Sequence, residues 1–125
     1  MAWRHVYGGS FPEYLVFREL RRQRLEEGVD FIFQANELGG RNRLGGAVVD
    51  FELINVKVAG RVQGEYWHLS SRQAREHDIV QALVLGGKGW TIVDMLAEEI
   101  YTRCHHVVGL FLQGEMTQSA RSVSR

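Results

Sequence analysis

The sequence is poor in the features of a secreted or membrane protein. Its 125 residues include one cysteine, Cys104, so no internal disulfide bond can form, which is typical of a reducing, intracellular setting. No apolar run approaches the roughly 20 residues that a membrane-spanning helix needs. The residues that follow Met1 lack the apolar stretch of a secretory signal. We therefore expect a cytoplasmic protein without a membrane segment.

The chain also lacks an excess of either charge. Fifteen Lys and Arg residues balance fifteen Asp and Glu residues, so any DNA contact is local or relies on a partner. A composition of 45% apolar and 24% charged residues fits a folded protein. The length predicts one domain over residues 1–125, with a frayed tail from about residue 113, where Ser, Thr and Arg dominate.

The first helix signal is Ser10-Phe-Pro-Glu13. Ser10 can cap a helix, Glu13 occupies the capping-box position, and the single proline, Pro12, suits the first turn. The pattern predicts a helix that runs to about Glu27 and stops at Gly28. Its expected buried residues are Leu15, Val16, Leu20 and Leu25. Its arginines, either a solvated face or phosphate contacts, are Arg18, Arg21, Arg22 and Arg24.

Two further helices are predicted in the second half of the chain. One begins with the capping-box pattern at 70–73 and runs to Leu85. Its apolar stripe, expected to be buried, is Ile79, Val80, Leu83 and Val84. After a short buried strand, Asp94 is interpreted as the cap of a helix over 95–102. Residues 105–112 predict another short apolar element.

Three runs predict strands, over residues 29–34, 47–53 and 56–63. The short link Ile54-Asn55 predicts a hairpin between the second and the third. Strands and helices together predict an α/β fold in which helices flank a mixed β-sheet.

An acid, Asp50, stands inside the otherwise apolar second strand. A buried carboxylate is costly unless something compensates it, and we interpret the compensating group as a divalent metal ion. The hairpin predicts that Asp50 lies across from Arg61 and Gln63.

A glycine-rich segment over 37–46 precedes this strand and contains Arg41 and Arg43. It lacks the Gly-Lys-Ser/Thr ending of a nucleotide-binding P-loop. The segment is either a connection between strands or a loop that brings both arginines to DNA.

Four pieces of the sequence together resemble a known nuclease group. They are Asp50-Phe51 in the hairpin, Gly64-Glu-Tyr-Trp-His68 after the next strand, Asp78 in a helix, and the closing strand at Gly89-Trp-Thr-Ile92. This order resembles the very-short-patch-repair (Vsr) endonucleases and the related EDxHD group of phage-type homing endonucleases. Both belong to the wider PD-(D/E)xK nuclease fold. The resemblance covers residues 10–101, and its most specific motif is Gly64–His68.

The resemblance implies a catalytic or metal-binding role for five residues. Asp50 would be the main metal-binding carboxylate, and the backbone carbonyl of Val62 would complete the metal shell. His68 would transfer protons for the attacking water, and Asp78 would orient His68. Glu13 would hold metal-bound water.

The sequence departs from the wider fold's pattern at Arg61 and Gln63, where typical members have a Glu-x-Lys pair. Vsr-like enzymes also lack that pair. Gln63 cannot act as a base, although it can hydrogen-bond a phosphate or a metal-bound water.

Two functional hypotheses follow. The first is a Mg²⁺-dependent endodeoxyribonuclease that hydrolyses double-stranded DNA, with Mn²⁺ as a substitute ion. Arg41, Arg43 and Arg61 would contact the DNA, and the chain would work as a homodimer or within a larger DNA-binding protein. A structure-specific nuclease for branched or mismatched DNA is a variant of this hypothesis. The second is a catalytically degraded nuclease-fold protein that serves as a DNA-binding or assembly module.

Each site residue also has a purely structural interpretation. Glu13 would only cap its helix, Asp50 would pair with Arg61, His68 would end a strand beside Trp67, and Asp78 would lie on a helix surface.

Overall fold

The structure is a computed structural model that describes residues 10–33, 42–44, 47–64 and 72–123. Its elements, in chain order, are α1 (Phe11–Arg22), β1 (Phe31–Phe33), β2 (Asn42–Leu44), β3 (Ala47–Val49), β4 (Phe51–Leu53), β5 (Val58–Gln63), α2 (Arg72–Gly87), β6 (Thr91–Leu96), α3 (Ala97–Leu112) and α4 (Gln118–Val123). The predicted fold class is confirmed, because helices flank a mixed four-stranded sheet. None of the helices in these ranges is long and apolar enough to cross a membrane.

The sheet has the strand order β1-β4-β5-β6. β4 pairs antiparallel with both β1 and β5, whereas β5 and β6 run parallel. β2 and β3 form a separate antiparallel pair. β5 lies between two strands, and all six of its residues are buried, so polar side chains on β5 need partners within the protein.

The two faces of the sheet differ in chemistry. One face is apolar and joins α1 and α3 in the main core. Its sheet residues are Phe31, Phe33, Phe51, Leu53, Val58, Val62, Val93 and Met95. By strand alternation and register, the opposite face carries Glu52, Arg61, Gln63 and Asp94. The candidate site therefore lies where a polar sheet face meets the end of β5.

The start of the first helix is confirmed, but its end is not. Ser10 Oγ accepts a hydrogen bond from the backbone N–H of Glu13, and a Glu13 carboxylate oxygen accepts one from the backbone N–H of Ser10. The helix stops at Arg22, five residues before the predicted end. Arg24 then adopts a left-handed backbone conformation with φ of 70°, which the helix cannot accommodate.

The predicted buried stripe of α2 is wrong for three of its four residues, and the fourth, Ile79, is half-buried. Val80, Leu83 and Val84 are 56%, 70% and 50% exposed, whereas Leu85 is 1% exposed. Because α2 packs with Leu85 turned inward, the neighbouring side that carries Leu83 and Val84 faces away from the core. Helical periodicity alone did not distinguish between these adjacent sides.

The predicted boundary between the last strand and the next helix is also wrong. β6 continues through Asp94 to Leu96, and Leu96 caps α3 without a side-chain hydrogen bond. α3 covers residues 97–102 of the first predicted segment and all of the second, 105–112, and a non-helical residue, Arg103, lies between them.

The tail that was predicted to fray from about residue 113 contains α4. Ala120 in this helix is 0% exposed. The buried hydroxyl of Thr117 donates to Glu99 on α3 and accepts from the backbone N–H of Ala120 at 3.1 Å. This hydroxyl both caps α4 and ties it to α3.

Candidate active site

Asp50 lies at a bend that divides the predicted 47–53 strand into β3 and β4. Its backbone N–H donates to the carbonyl of Gly60 at 2.9 Å, although the residue opposite Gly60 in the ladder is Phe51. The register therefore slips by one residue, as in a β-bulge. Simple alternation fails here, because Val49, Asp50 and Phe51 are all 0% exposed.

The bend brings the side chain of Asp50 against the backbone of β5. Asp50 Oδ2 accepts a hydrogen bond from the backbone N–H of Val62 at 2.7 Å. The N–H and C=O of a strand residue point to the same side of the strand, so the Val62 carbonyl is also directed toward β4 and Asp50. The two residues predicted as metal ligands thus lie side by side, and their oxygens are of the kind that hard divalent cations bind.

Other predicted ligands and proton-transfer groups fall outside the described side chains. His68 lies outside the described residues, and for Asp78 the structure describes only the backbone, in α2. Within the described part of the chain, no three His, Cys, Asp or Glu side chains are grouped closely enough to hold a metal ion. The magnesium site therefore stays a prediction, with Asp50 and Val62 as its described members.

Arg61 and Gln63 both bind Asp94, which lies on the neighbouring strand β6. Arg61 donates from Nε to Asp94 Oδ1 at 2.8 Å and from Nη2 to Oδ2 at 3.0 Å. Gln63 Nε2 donates to the same Oδ1 at 3.0 Å. The exposed fractions are 5% for Arg61, 9% for Gln63 and 3% for Asp94, so the network is almost dry.

The parallel register explains why this network forms. Arg61 lies directly opposite Asp94, and opposed residues on neighbouring strands project from the same face. Gln63 is two residues further along β5 and therefore shares that face. The sequence interpretation of Asp94 as a helix cap is wrong and missed this residue. The pattern that identified Asp50, an acid inside an apolar strand, also applies to Asp94 and could have identified it.

Glu13 makes the capping contacts of α1. Its carboxylate also accepts from Ser10 Oγ at 2.8 Å, and the residue is 8% exposed. These contacts match the structural interpretation of Glu13. The implied role of holding metal-bound water stays a prediction.

The structure describes only some of the residues predicted to contact DNA. Arg41 lies outside the described residues, and the backbone of Arg43 belongs to β2, which pairs with β3. Part of the glycine-rich segment is therefore the strand β2, which pairs with β3 just after the segment. Arg61 is buried against Asp94, so a phosphate could reach it only after this contact opened.

Sequence comparison found no matching protein-family model and no matching curated protein. A solved structure does match: the catalytic domain of the homing endonuclease I-Bth0305I, with a TM-score of 0.61 and 18% sequence identity. The match covers 85% of this chain and 98% of that domain. At this level of identity the likeness is one of fold, and it extends over most of the chain. The mixed sheet and its flanking helices therefore share the fold of that catalytic domain.

Proposed function

We propose that the protein is a metal-dependent DNA endonuclease that hydrolyses phosphodiester bonds in double-stranded DNA. The observation that carries this proposal is the fully buried carboxylate of Asp50, held at 2.7 Å from the Val62 backbone N–H at a strand bend. The likeness in fold to a homing endonuclease catalytic domain supports it.

The chemistry requires stabilisation of negative charge on the phosphate and activation of a water molecule. Mg²⁺ or Mn²⁺, held by the Asp50 carboxylate and the Val62 carbonyl, would supply Lewis-acid stabilisation of the phosphate. The Asp50 carboxylate would hold the ion at the end of β5. In this proposal His68 transfers the proton of the attacking water, since a histidine titrates near neutral pH. Asp78 would orient His68, and Glu13 would hold a water molecule beside the ion.

DNA contacts are assigned in this proposal to Arg41 and Arg43, on or next to the β2–β3 pair. The chain has a formal net charge of zero, which limits non-specific attraction to DNA. Action as a homodimer or beside a DNA-binding domain would supply the missing affinity. This expectation is tested by measuring the molecular mass in solution with and without DNA.

Cleavage of supercoiled plasmid tests the proposal. The wild-type protein should nick or linearise the plasmid with Mg²⁺ or Mn²⁺ and not with EDTA. Asp50→Asn should reduce the rate by about 100-fold or more, since it removes the carboxylate that holds the ion. Glu115→Gln is a matched control, because it removes one negative charge from an exposed residue and should leave the rate unchanged.

Two results would reject the proposal. One is cleavage by Asp50→Asn at the wild-type rate, with circular dichroism showing both proteins folded. The other is no cleavage of linear, nicked, mismatched or four-way DNA by the wild-type protein.

The alternative is a DNA-binding or assembly module without cleavage. The Arg61–Asp94 ion pair favours it, because a paired arginine stands where typical members of the fold have a catalytic acid. Retained DNA binding in EDTA without cleavage in Mg²⁺ would support this alternative. Calorimetric binding of Mg²⁺ that disappears in Asp50→Asn would argue against it.

A further inference from the structure

We propose that Asp94 is a positioning residue for the reaction, which it serves by fixing the side-chain amide of Gln63 at the end of β5. This inference rests on the proposed nuclease function. It assigns a role to a buried acid that the sequence interpretation had taken for a helix cap.

The first step is the set of hydrogen bonds that converge on Asp94. Its two carboxylate oxygens accept two N–H bonds from Arg61 and one from Gln63, at 2.8 to 3.0 Å. All three residues are at most 9% exposed. Hydrogen bonds to an ionised group in a dry environment are strong and directional, so Asp94 holds both side chains in defined positions.

The second step is the orientation of the Gln63 amide. A carboxylate that faces a guanidinium only accepts hydrogen bonds. The end of the amide that meets Asp94 Oδ1 must therefore be the NH₂ group, as the 3.0 Å Nε2 contact shows. The carbonyl oxygen Oε1 is then turned away from Asp94.

The third step is the role that this oxygen can take at the end of β5. Gln63 follows Val62, whose N–H binds Asp50. An amide oxygen accepts hydrogen bonds from water but not from phosphate oxygens, which are also acceptors. Gln63 Oε1 would therefore accept from the attacking or metal-bound water, while the second N–H of Nε2 could still donate to a phosphate oxygen. Gln63 would contact the reacting groups, and Asp94 would act through it.

The test uses a variant that removes both buried charges. Asp94→Asn alone would leave the buried guanidinium group of Arg61 without its carboxylate partner, which can unfold the protein. The double variant Arg61→Met with Asp94→Leu replaces the pair by apolar side chains, a change that buried ion pairs often tolerate. We expect its kcat for plasmid cleavage to fall about tenfold with KM within about twofold.

A second pair of proteins separates positioning from folding. In a Gln63→Leu background the same double substitution should cause no further fall in kcat, because the side chain that Asp94 positions is gone. An equal fall in both backgrounds, or an unchanged kcat in the first, would overturn the inference.

The result also distinguishes this inference from the proposed function. A wild-type protein that does not cleave, or that cleaves independently of Asp50, overturns both. Asp50-dependent cleavage without coupling between Asp94 and Gln63 overturns this inference alone. Nuclear magnetic resonance adds a structural readout: the Gln63 NH₂ protons should exchange more slowly than those of exposed Gln118, and lose that protection in the double variant. Equal exchange in the wild-type protein would contradict the geometry.

Discussion

Replacing Gly60 with alanine should destabilise the strand that supports the candidate site. A Cβ at this position would lie 2.8 Å from Met95 Cε and 2.9 and 3.0 Å from Cε1 and Cζ of Phe111. Favourable carbon contacts are about 3.5–4.0 Å long. The Met95 methyl group ends a flexible side chain and can move, but the Phe111 ring is 0% exposed and enclosed by the core.

The expected loss is about 1–3 kcal/mol of unfolding free energy, the usual range for a methyl group forced into a packed core. Urea denaturation followed by circular dichroism measures it. Gly109→Ala is the matched control, since its added Cβ would have no atom within 4 Å other than its chain neighbours and the backbone of its own helix. Because Gly109 lies within α3 and alanine favours a helix more than glycine does, the unfolding free energy of this control should rise by up to about 1 kcal/mol.

Phe111→Leu provides a second check on the Gly60 prediction. A smaller side chain at position 111 should reduce the extra cost of Gly60→Ala in a double-mutant cycle. A Gly60→Ala protein as stable as the wild type, or a cycle without coupling, would refute the packing of β5 against α3. The same packing sets the position of the Gly60 carbonyl, which binds the Asp50 backbone.

Three further predictions concern α1, α3 and α4. Hydrogen bonds from Arg22 lower the pKa of Glu19 from 4.5 to about 2, so the stability that Glu19 adds is present above pH 4.5 and is lost as the pH falls toward 2. Glu19→Gln should therefore lower the free energy of unfolding by about 1–2 kcal/mol at pH 7. Urea titrations should show that the difference in stability between the two proteins shrinks in acid, and a difference independent of pH would contradict this. Burial raises the pKa of the Cys104 thiol from 9.0 to about 11. Iodoacetamide at pH 8 should therefore modify Cys104 in the native protein about 100-fold more slowly than in the urea-unfolded chain. Equal rates would be evidence against burial of the thiol. Thr117→Val removes the hydroxyl that donates to buried Glu99 and should lower stability by about 1–3 kcal/mol; Thr117→Ser should keep most of it, and equal losses would assign the effect to packing.

Local signals in the sequence predicted local structure correctly. The capping box at Ser10 and Glu13 joins residues only three positions apart, so neighbouring sequence contains all the information that it needs. The mixed α/β fold class followed from the order of such segments. The burial of Asp50 also followed from its place within an apolar run, and the structure confirms it.

Features that depend on distant partners were missed. An Asp before a helix and an Asp inside a strand look alike locally, and what places Asp94 in β6 is its pairing with Arg61, 33 residues earlier. The bend at Asp50 likewise depends on the backbone of β5, to which it bonds. For α2, packing against the sheet determines which apolar side is buried, and this cannot be inferred from the sequence of the helix alone.

The sequence predicted some features of the candidate site but not others. Asp50 and Val62, which the family resemblance gives as metal ligands, lie side by side, and their role in metal binding stays a prediction. The partner of Arg61 and Gln63 was not predicted, because it required the parallel register of β5 and β6. The roles of His68 and Asp78 stay predictions, since their side chains lie outside the described part of the structure.

The central claim is that the Asp50 carboxylate holds a divalent cation beside the Val62 carbonyl. A crystal structure with Mn²⁺, located by its anomalous scattering, tests this claim most directly. We predict an ion about 2.0–2.6 Å from an Asp50 oxygen, with the Val62 carbonyl among its ligands. Crystals soaked at a Mn²⁺ concentration that supports cleavage, but with no ion at Asp50, would contradict it.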